Sequence, residues 1–404
     1  MKPPLLFLIQ RLPYPPTKGE KIRALRIFQY LSQWYEMHLG CLLDDPADAE
    51  HVGTMRALCA SSHIAPLNRT VATLTCLRGL LTSEALSVTY FRDRGLARWV
   101  RATIADVKPA RIFVYSSNMA PYVLDVPRSA PLVVDLVDVD SEKWRAYADQ
   151  VSGPKRWIYR REWRKVAALE RRIAAEADLS TFVSDAEAAL FVTLVPESAA
   201  RVRGISNGVD PVYFDPAGPY PPVYDTDVPN YVFTGTMNYP PNADAAIWFA
   251  AEVLPLIHRH LPDAQFHIVG HSPNDAVRAL ARRPGVHVTG RVADVRPYVA
   301  HATAAVAPLR IARGIQNKVL EAMAMARPVV ATSGALEGIE AEPNWEILLA
   351  DDAADFAAAC IALVTSGHAA AIGQAARHCV LRNYDWAVRL SRYDDIMRPA
   401  EATT

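Results

Sequence analysis

The sequence predicts an α/β protein of two doubly wound domains, each a parallel sheet flanked by helices. Three observations lead there. Short apolar runs alternate with helical spacings along most of the 404 residues, the pattern of parallel strands joined by helical crossovers. The length exceeds what one ordinary core accommodates, so two domains of roughly 150 to 200 residues each are the default. Near the middle the alternation breaks at NGVDPVYFDPAGPYPPVYDT, residues 207–226, where prolines and glycines preclude a helix or a central strand. The expected division is a first domain over 1–208, a second over 209–382, and a terminal helix over 383–404 that crosses back to the first.

The first series opens with the strand LLFLI, the loop RLPYPPTKGEK, the helical IRALRIFQYLSQWY and the strand MHLGCLL. The opening nine residues carry one lysine and lead to no small-residue cleavage site, so they read as a strand and not a secretory signal. RIFVY (111–115) and LVVD (132–135) continue the sheet, and 179–183 with 201–205 supply its last strands. After the break, YVFTG begins the second series, followed by a helix over 244–260 and the strands QFHIVG and VHVTG. Residues 384–397 show helical apolar spacing at Trp386, Leu390, Tyr393 and Met397.

Lys plus Arg and Asp plus Glu balance at 43 each, which removes the global field that a nucleic-acid partner would need. Five cysteines are odd in number, scattered and without a CxxC, which disfavours a disulfide framework and a zinc site and fits a reducing cytoplasm. No run approaches the 18 or so apolar residues of a membrane span, so the chain is expected to be cytoplasmic, with the option of resting on the inner face of the plasma membrane. HExxH, GxGxxG after a strand and GxxxxGK[ST] are all missing, which leaves metal hydrolysis, dinucleotide redox and P-loop chemistry without their usual signals.

The segment APLRIARGIQNKVLEAMAMARPVVAT, residues 307–332, reads as strand, glycine loop, helix start and strand. Gly314 lets the backbone turn, Asn317 is placed to cap a helix running to about Ala326, and Pro328 leads into the next strand. Free amides at such a helix start favour an anion beyond the strand's carboxyl end. Lys318 and Glu321 project from one side of that helix. The lysine suits a diphosphate, and the carboxylate, an acceptor only, suits sugar hydroxyls. Taken alone, a solvated lysine and a first-turn glutamate complementing the dipole fit equally well. Arg310, Arg313 and Lys318 crowding one glycine shift the balance towards an anion site.

Three other segments carry candidate chemistry. Gly19, flanked by Lys18 and Lys21, sits in the first βα loop, an ordinary loop on local grounds but one placed to reach an anion held by the second domain. Asp135, Asp138 and Asp140 follow a strand. Asp138-Val139-Asp140 matches the DxD that holds a divalent cation on a nucleotide diphosphate, a strand-end loop with a helix cap at Ser141 explains the same residues, and Asp138 as an acceptor-facing polar group is the intermediate reading. From Lys155 to Arg172, a helix would spread Arg160, Arg161, Arg164, Lys165, Arg171 and Arg172 over one face, with Tyr159, Trp163, Val166 and Ile173 opposite. A solvated face over a core stripe is the favoured reading; a basic surface on anionic headgroups is the alternative.

Together these segments resemble the retaining glycosyltransferases of family four, which have the GT-B fold, and most closely the subgroup associated with exosortase/PEP-CTERM exopolysaccharide loci. The likeness runs through PYPPTKGEKIRA, VDLVDVDSEKW, FVSDAEA, SNGVDPVYFDP, FTGTMNYPPNADAAIWF, VTGRVADVRPYVAHA and PLRIARGIQNKVLEAMAMARPVVAT. It implies two Rossmann-like domains facing a central cleft, a nucleotide-sugar donor of UDP or GDP type on the second, and a glycan or lipid-linked acceptor on the first. By the same resemblance Glu321 holds the ribose, Lys318 with Arg310 or Arg313 neutralises the diphosphate, and Gly314 and Asn317 frame the anion. Arg291 and Val292 pass the base, Gly235 and Thr236 lie near the phosphates, Gly19 approaches the donor, and Asp138 orients the acceptor. No cofactor and no metal are implied. The chain departs from the pattern where Arg313 replaces the first of two spaced glutamates, where GTMNYPPNAD lacks an Arg/Lys pair, and where Asp138 stands for a histidine. A metal-dependent DxD transferase, a nucleotide-sugar epimerase and a non-catalytic glycan-binding protein are the rival expectations.

Overall fold

Strand β1 (Pro4–Ile9) is buried from Leu5 onward, because a parallel strand covered on both faces must be apolar throughout. It is an interior strand of a seven-stranded sheet. The computed structural model describes residues 2–16, 19–80, 84–311 and 314–399. By their contacts they divide into a first unit, Met1–Ser206 with Leu390–Thr404, and a second, Asn207–Arg389.

In the first unit, β1 leads through α1 (Gly19–Ser32) to β2 (Glu36–Leu43) and β3 (Ser61–Pro66). The chain then returns to the other side of β1 as β4 (Arg111–Tyr115), β5 (Leu132–Val137), α2 (Asp140–Asp149), α3 (Gly153–Glu176), β6 (Leu179–Phe182), α4 (Asp185–Leu194) and β7 (Val202–Gly204). The order is β3-β2-β1-β4-β5-β6-β7, every pairing parallel. The connections therefore diverge between β1 and β4.

A buried ion pair ties this unit together. Arg23 on α1 donates from Nε to Oδ2 of Asp135 on β5 at 2.8 Å, with 1% and 0% of the side chains exposed. Tyr393, near the end of the chain, contacts the same carboxylate at 3.3 Å and Thr181 on β6 at 3.0 Å. To seat that ring the terminal segment is not the single helix expected over 384–397. It breaks into helix Trp386–Leu390, the tight turn Ser391–Tyr393 and helix Asp394–Met397.

The inward face of α3 also differs from expectation. Val166 and Ile173 are buried, but Glu162 and Glu170 are buried with them while Tyr159 and Trp163 are only half-covered. Each glutamate satisfies amides that a neighbouring helix leaves open at its start. Glu162 accepts from Leu86 N at 2.7 Å and Ser87 N at 2.8 Å, and Glu170 accepts from Ser141 N at 3.1 Å. Ser141 is thus not the cap expected of it. The helix already begins at Asp140, so the Ser141 side chain lies inside the turn.

In the second unit, β8 (Asn230–Thr234) leads to α5 (Pro240–Trp248), which continues helically through Leu254–His258. Then come β9 (Gln265–Val269), β10 (Val286–Gly290), β11 (Ala304–Ala307), α6 (Asn317–Ala324), β12 (Val329–Ala331), β13 (Leu348–Leu349), α7 (Ala353–Thr365) and α8 (Ala369–Asn383). The order is β10-β9-β8-β11-β12-β13, again all parallel. Here the connections diverge between β8 and β11. Among the described residues no single helix is long and apolar enough to cross a membrane; α7 and α8 reach that mark only jointly, across a bend of 108°. Phe356, Cys360, Ala376 and Cys379 on them belong to the second core.

Candidate functional site

Open α/β sheets bind ligands beyond the carboxyl ends of strands at the point where connections diverge. In the second unit that point lies past β8 and β11. The loop after β8 is Gly235-Thr236, and the loop after β11 leads through Gly314, at φ +69°, into α6. α6 has its helix start aimed as expected, with one correction. Gln316, extended at φ −89° and ψ 98°, is the residue before the helix, so Asn317 is already inside it and does not cap it. The Asn317 Oδ1 is buried without a hydrogen-bond partner among the described residues.

Lys318 in the first turn reaches across to the other loop. Its Nζ donates to Asn242 Oδ1 on α5 at 2.5 Å and lies 4.5 Å from the centre of the Phe233 ring on β8, a distance at which a cation is attracted to the ring face. Asn242 in turn donates to Thr236 O at 3.0 Å. A side chain at Gly235 would put its Cβ 2.8 Å from Asn242 Nδ2 and 3.3 Å from Lys318 Nζ, and one at Gly270 would meet Gly235 O at 1.7 Å. Only glycines let the ends of β8 and β9 close this tightly around the lysine. Thr236 Oγ1 shares a hydrogen bond of 2.9 Å with His271 Nε2 on the neighbouring loop.

Glu321, one turn on from Lys318, is half-buried. Burial pulls the Lys318 ammonium down to about 7, with Glu321 opposing, and burial pushes the Glu321 carboxyl up to about 7, with Lys318 opposing. Desolvation outweighs their mutual attraction in both. The pair is held poised, short of the charge that an anion and a hydroxyl ligand would call out. Tyr213, half-exposed, lies in the field of the same carboxylate: burial, Asp294 and Glu321 push its phenol up against the opposing Arg296. The Arg296 guanidinium stacks 3.8 Å from the Tyr213 ring centre and is held by Asp294 at 2.7 Å.

The remaining expected residues fall as follows. Arg310 is bridged to Asp244 at 2.6 Å on the surface, so its charge is already met. Arg313 lies outside the described residues, as does Lys18. Arg291 is exposed, and Val292 packs against the second core beside Gly290. Gly19 is the first residue of α1. Lys21 is not available to an anion: it is buried and paired with Asp48 at 2.5 Å.

Asp138 follows β5 in the first unit, beyond a locally strained stretch. Val137 has φ +70°, an outlying conformation for a β-branched residue, and Ser116, just after β4, has φ +79°. Lys143 sits between the two carboxylates of the DxD, at 2.6 Å from Asp138 and 3.3 Å from Asp140. Its ammonium fills the place that a metal-binding reading reserves for a cation.

Asn242, Phe233 and Tyr213 were not picked out by sequence reasoning. Asn242 carried one signal, its place just inside a helix opened by two prolines in YPPNAD. Phe233 carried none beyond its strand.

Comparison with known proteins places these features. Residues 228–366, which contain β8 through α6 and Lys318 with Glu321, match the family described as glycosyl transferases group 1. Among curated proteins none matches the chain. Among solved structures, sucrose-phosphate synthase from Thermosynechococcus elongatus superposes with a TM-score of 0.67 at 18% identity, over 98% of each chain. A glycosyltransferase from Rickettsia africae ESF-5 gives 0.65 at 14% identity, over 99% of this chain and 100% of that one. Anabaena Alr3699/HepE, in complex with UDP and glucose, gives 0.64 at 14% identity, over 98% and 100%. The chain has the GT-B fold, and residues 228–366 of its second unit match glycosyl transferases group 1.

Proposed function

We propose that the protein transfers a sugar from a nucleotide diphosphate sugar, of UDP or GDP type, to a sugar hydroxyl of a glycan or lipid-linked acceptor, with retention at the anomeric carbon, in exopolysaccharide biosynthesis. The observation that carries this reading is the pairing of Lys318 and Glu321 on α6, at the divergence of β8 and β11, within the segment that matches glycosyl transferases group 1. HepE, similar in fold, is seen with UDP and glucose, which supports a UDP donor.

In the proposed reaction the bond from the anomeric carbon to the diphosphate breaks, leaving its electron pair on the phosphate oxygen. The acceptor oxygen bonds to that carbon from the same face, and its proton passes to the leaving oxygen. Negative charge grows on the diphosphate, beside Lys318 and the amides that open α6. Such preorganised donors contribute about 3 to 4 kcal/mol each. Glu321 accepts from the ribose hydroxyls, Gly235 and Thr236 line the phosphates, Gly19 approaches the donor diphosphate, and Asp138 serves the acceptor side. The reading requires no metal, since Lys143 already holds both DxD carboxylates. It places the protein in the cytoplasm, with the basic stretch from Lys155 to Arg172 facing an anionic membrane surface. Calorimetric titration of the full chain with UDP, GDP and their sugars, with and without chelator, tests the donor. Binding that is unchanged by chelator is expected; binding that needs a divalent cation overturns the metal-free mechanism, and no nucleotide binding overturns the whole reading.

A further inference from the structure

Beyond the two strand-end regions, helices α2, α3 and α4 of the first unit line a pocket of about 260 Å³. Two kinds of wall meet in it. Phe191, Leu194, Val195 and the half-buried Trp163 give an apolar side, and Arg145, Arg164 and Arg171 give a cationic one. Arg145 is held by Glu142 at 3.2 Å. Arg164 and Arg171 stand seven residues apart, two turns along one face of α3, and neither has an ion-pair or side-chain hydrogen-bond partner among the described residues. The remaining acid, Glu170, is turned inward on Ser141 N, 2% exposed, and burial pushes its carboxyl up to about 7. Positive charge is therefore in excess where the cavity meets apolar surface.

A run of solvated arginines on a helix would need no cavity, and an apolar groove would need no unpaired guanidinium. We propose that this pocket takes a phosphate ester carried on an apolar stem, the chemistry of a lipid phosphate: Arg164 and Arg171 bracket the phosphate and the Trp163–Phe191–Leu194 side receives the first carbons of the chain. Guanidinium pairs with phosphate through parallel hydrogen bonds. The site deepens the membrane-facing reading of this helix and rests on that reading only for where the lipid comes from; it is independent of the donor site on the second unit.

The test is sedimentation of the full chain with vesicles of phosphatidylcholine alone or with phosphatidylglycerol added. The chain is expected to bind only the anionic vesicles, and Arg164→Ala/Arg171→Ala to weaken binding about a hundredfold or more, the loss of a charged hydrogen bond from each guanidinium, with an unchanged unfolding midpoint because both side chains are exposed. Lys155→Ala/Arg156→Ala/Arg160→Ala, on the exposed start of the same helix, separates the two readings. If that triple variant loses binding while the Arg164/Arg171 variant binds like wild type, the surface contact stands and the pocket is overturned. No binding to anionic vesicles overturns both. Displacement by dihexanoylphosphatidic acid but not by equal inorganic phosphate supports the apolar stem, and equal displacement by the two overturns it.

Discussion

Lys318 decides what the second unit can do with charge. Its Asn242 and Phe233 contacts hold the ammonium in place while burial keeps its proton loosely bound. Lys318→Ala is expected to lower turnover by about 10² to 10³, the effect of one lost transition-state donor, with little change in the unfolding midpoint. A variant with near-normal turnover would remove the lysine from the mechanism. The pH dependence follows from the same side chain. An anion raises a lysine's affinity for its proton, so above pH 7 the free site is deprotonated and binding must take a proton up. UDP affinity should fall as pH rises from 7, with net proton uptake seen by calorimetry in buffers of different ionisation enthalpy. Without ligand the signs are opposite for the two partners. Lys318, lowered from 10.5, binds its proton less well folded than unfolded, so its contribution to stability rises between about 7 and 10.5. Glu321, raised from 4.5, keeps a proton the unfolded chain has released, so its contribution falls as pH rises from 4.5 to about 7. Together they place a shallow stability minimum near neutrality, which Glu321→Gln should flatten on its acid side.

Strand ends show how far an element can be read from its letters. The strands of LLFLI, RIFVY and LVVD are legible as runs of consecutive apolar residues, broken only by Arg111 and Asp135 at their ends, and β11, α6 and β12 are legible from the glycine loop between them. β3 escaped because SSHIAP buries only Ala65, and β13 because two residues carry no period. The site was half legible. Lys318 and Glu321 share one helix, so their spacing shows in sequence. The partner that fixes Lys318 lies 76 residues earlier, and Lys21 is diverted to Asp48, 27 residues away; nothing local encodes either. The strain at Val137 was likewise invisible, since valine is the residue least expected at φ +70°. It yields a contrast within one element. Val137→Gly releases about 1 to 3 kcal/mol of strain against about 0.5 to 1 kcal/mol of added chain entropy, so stability should hold or rise. Leu136→Ala next to it, 1% exposed, should cost about 2 to 5 kcal/mol. Urea unfolding of the two variants checks the pair, and a large loss in Val137→Gly would show that the strand end is relaxed as it stands.

At the scale of the molecule, the first unit is made from both ends of the chain and the second from its middle. The Arg23–Asp135 pair is the joint, with Tyr393 closing over it. Asp135→Ala removes the buried carboxylate that faces the Arg23 guanidinium, which should cost about 3 to 5 kcal/mol, and Tyr393→Phe, which loses the contacts to Asp135 and Thr181, should cost about 1 to 3 kcal/mol. Amide exchange followed by mass spectrometry should show protection falling in Leu132–Val137 and holding in Ala304–Ala307 for the aspartate variant. Equal loss in both would mean the two units do not unfold separately.

Because Tyr393 comes so late, a ribosome making this protein releases β1 to β7 long before the ring that seals them. The middle unit has every strand it needs while the earlier one still waits for its last contact. Newborn chains therefore pass through a stage with the strands of the middle unit made and the first unit unlatched, and a stop codon shortly before Tyr393 would leave them there.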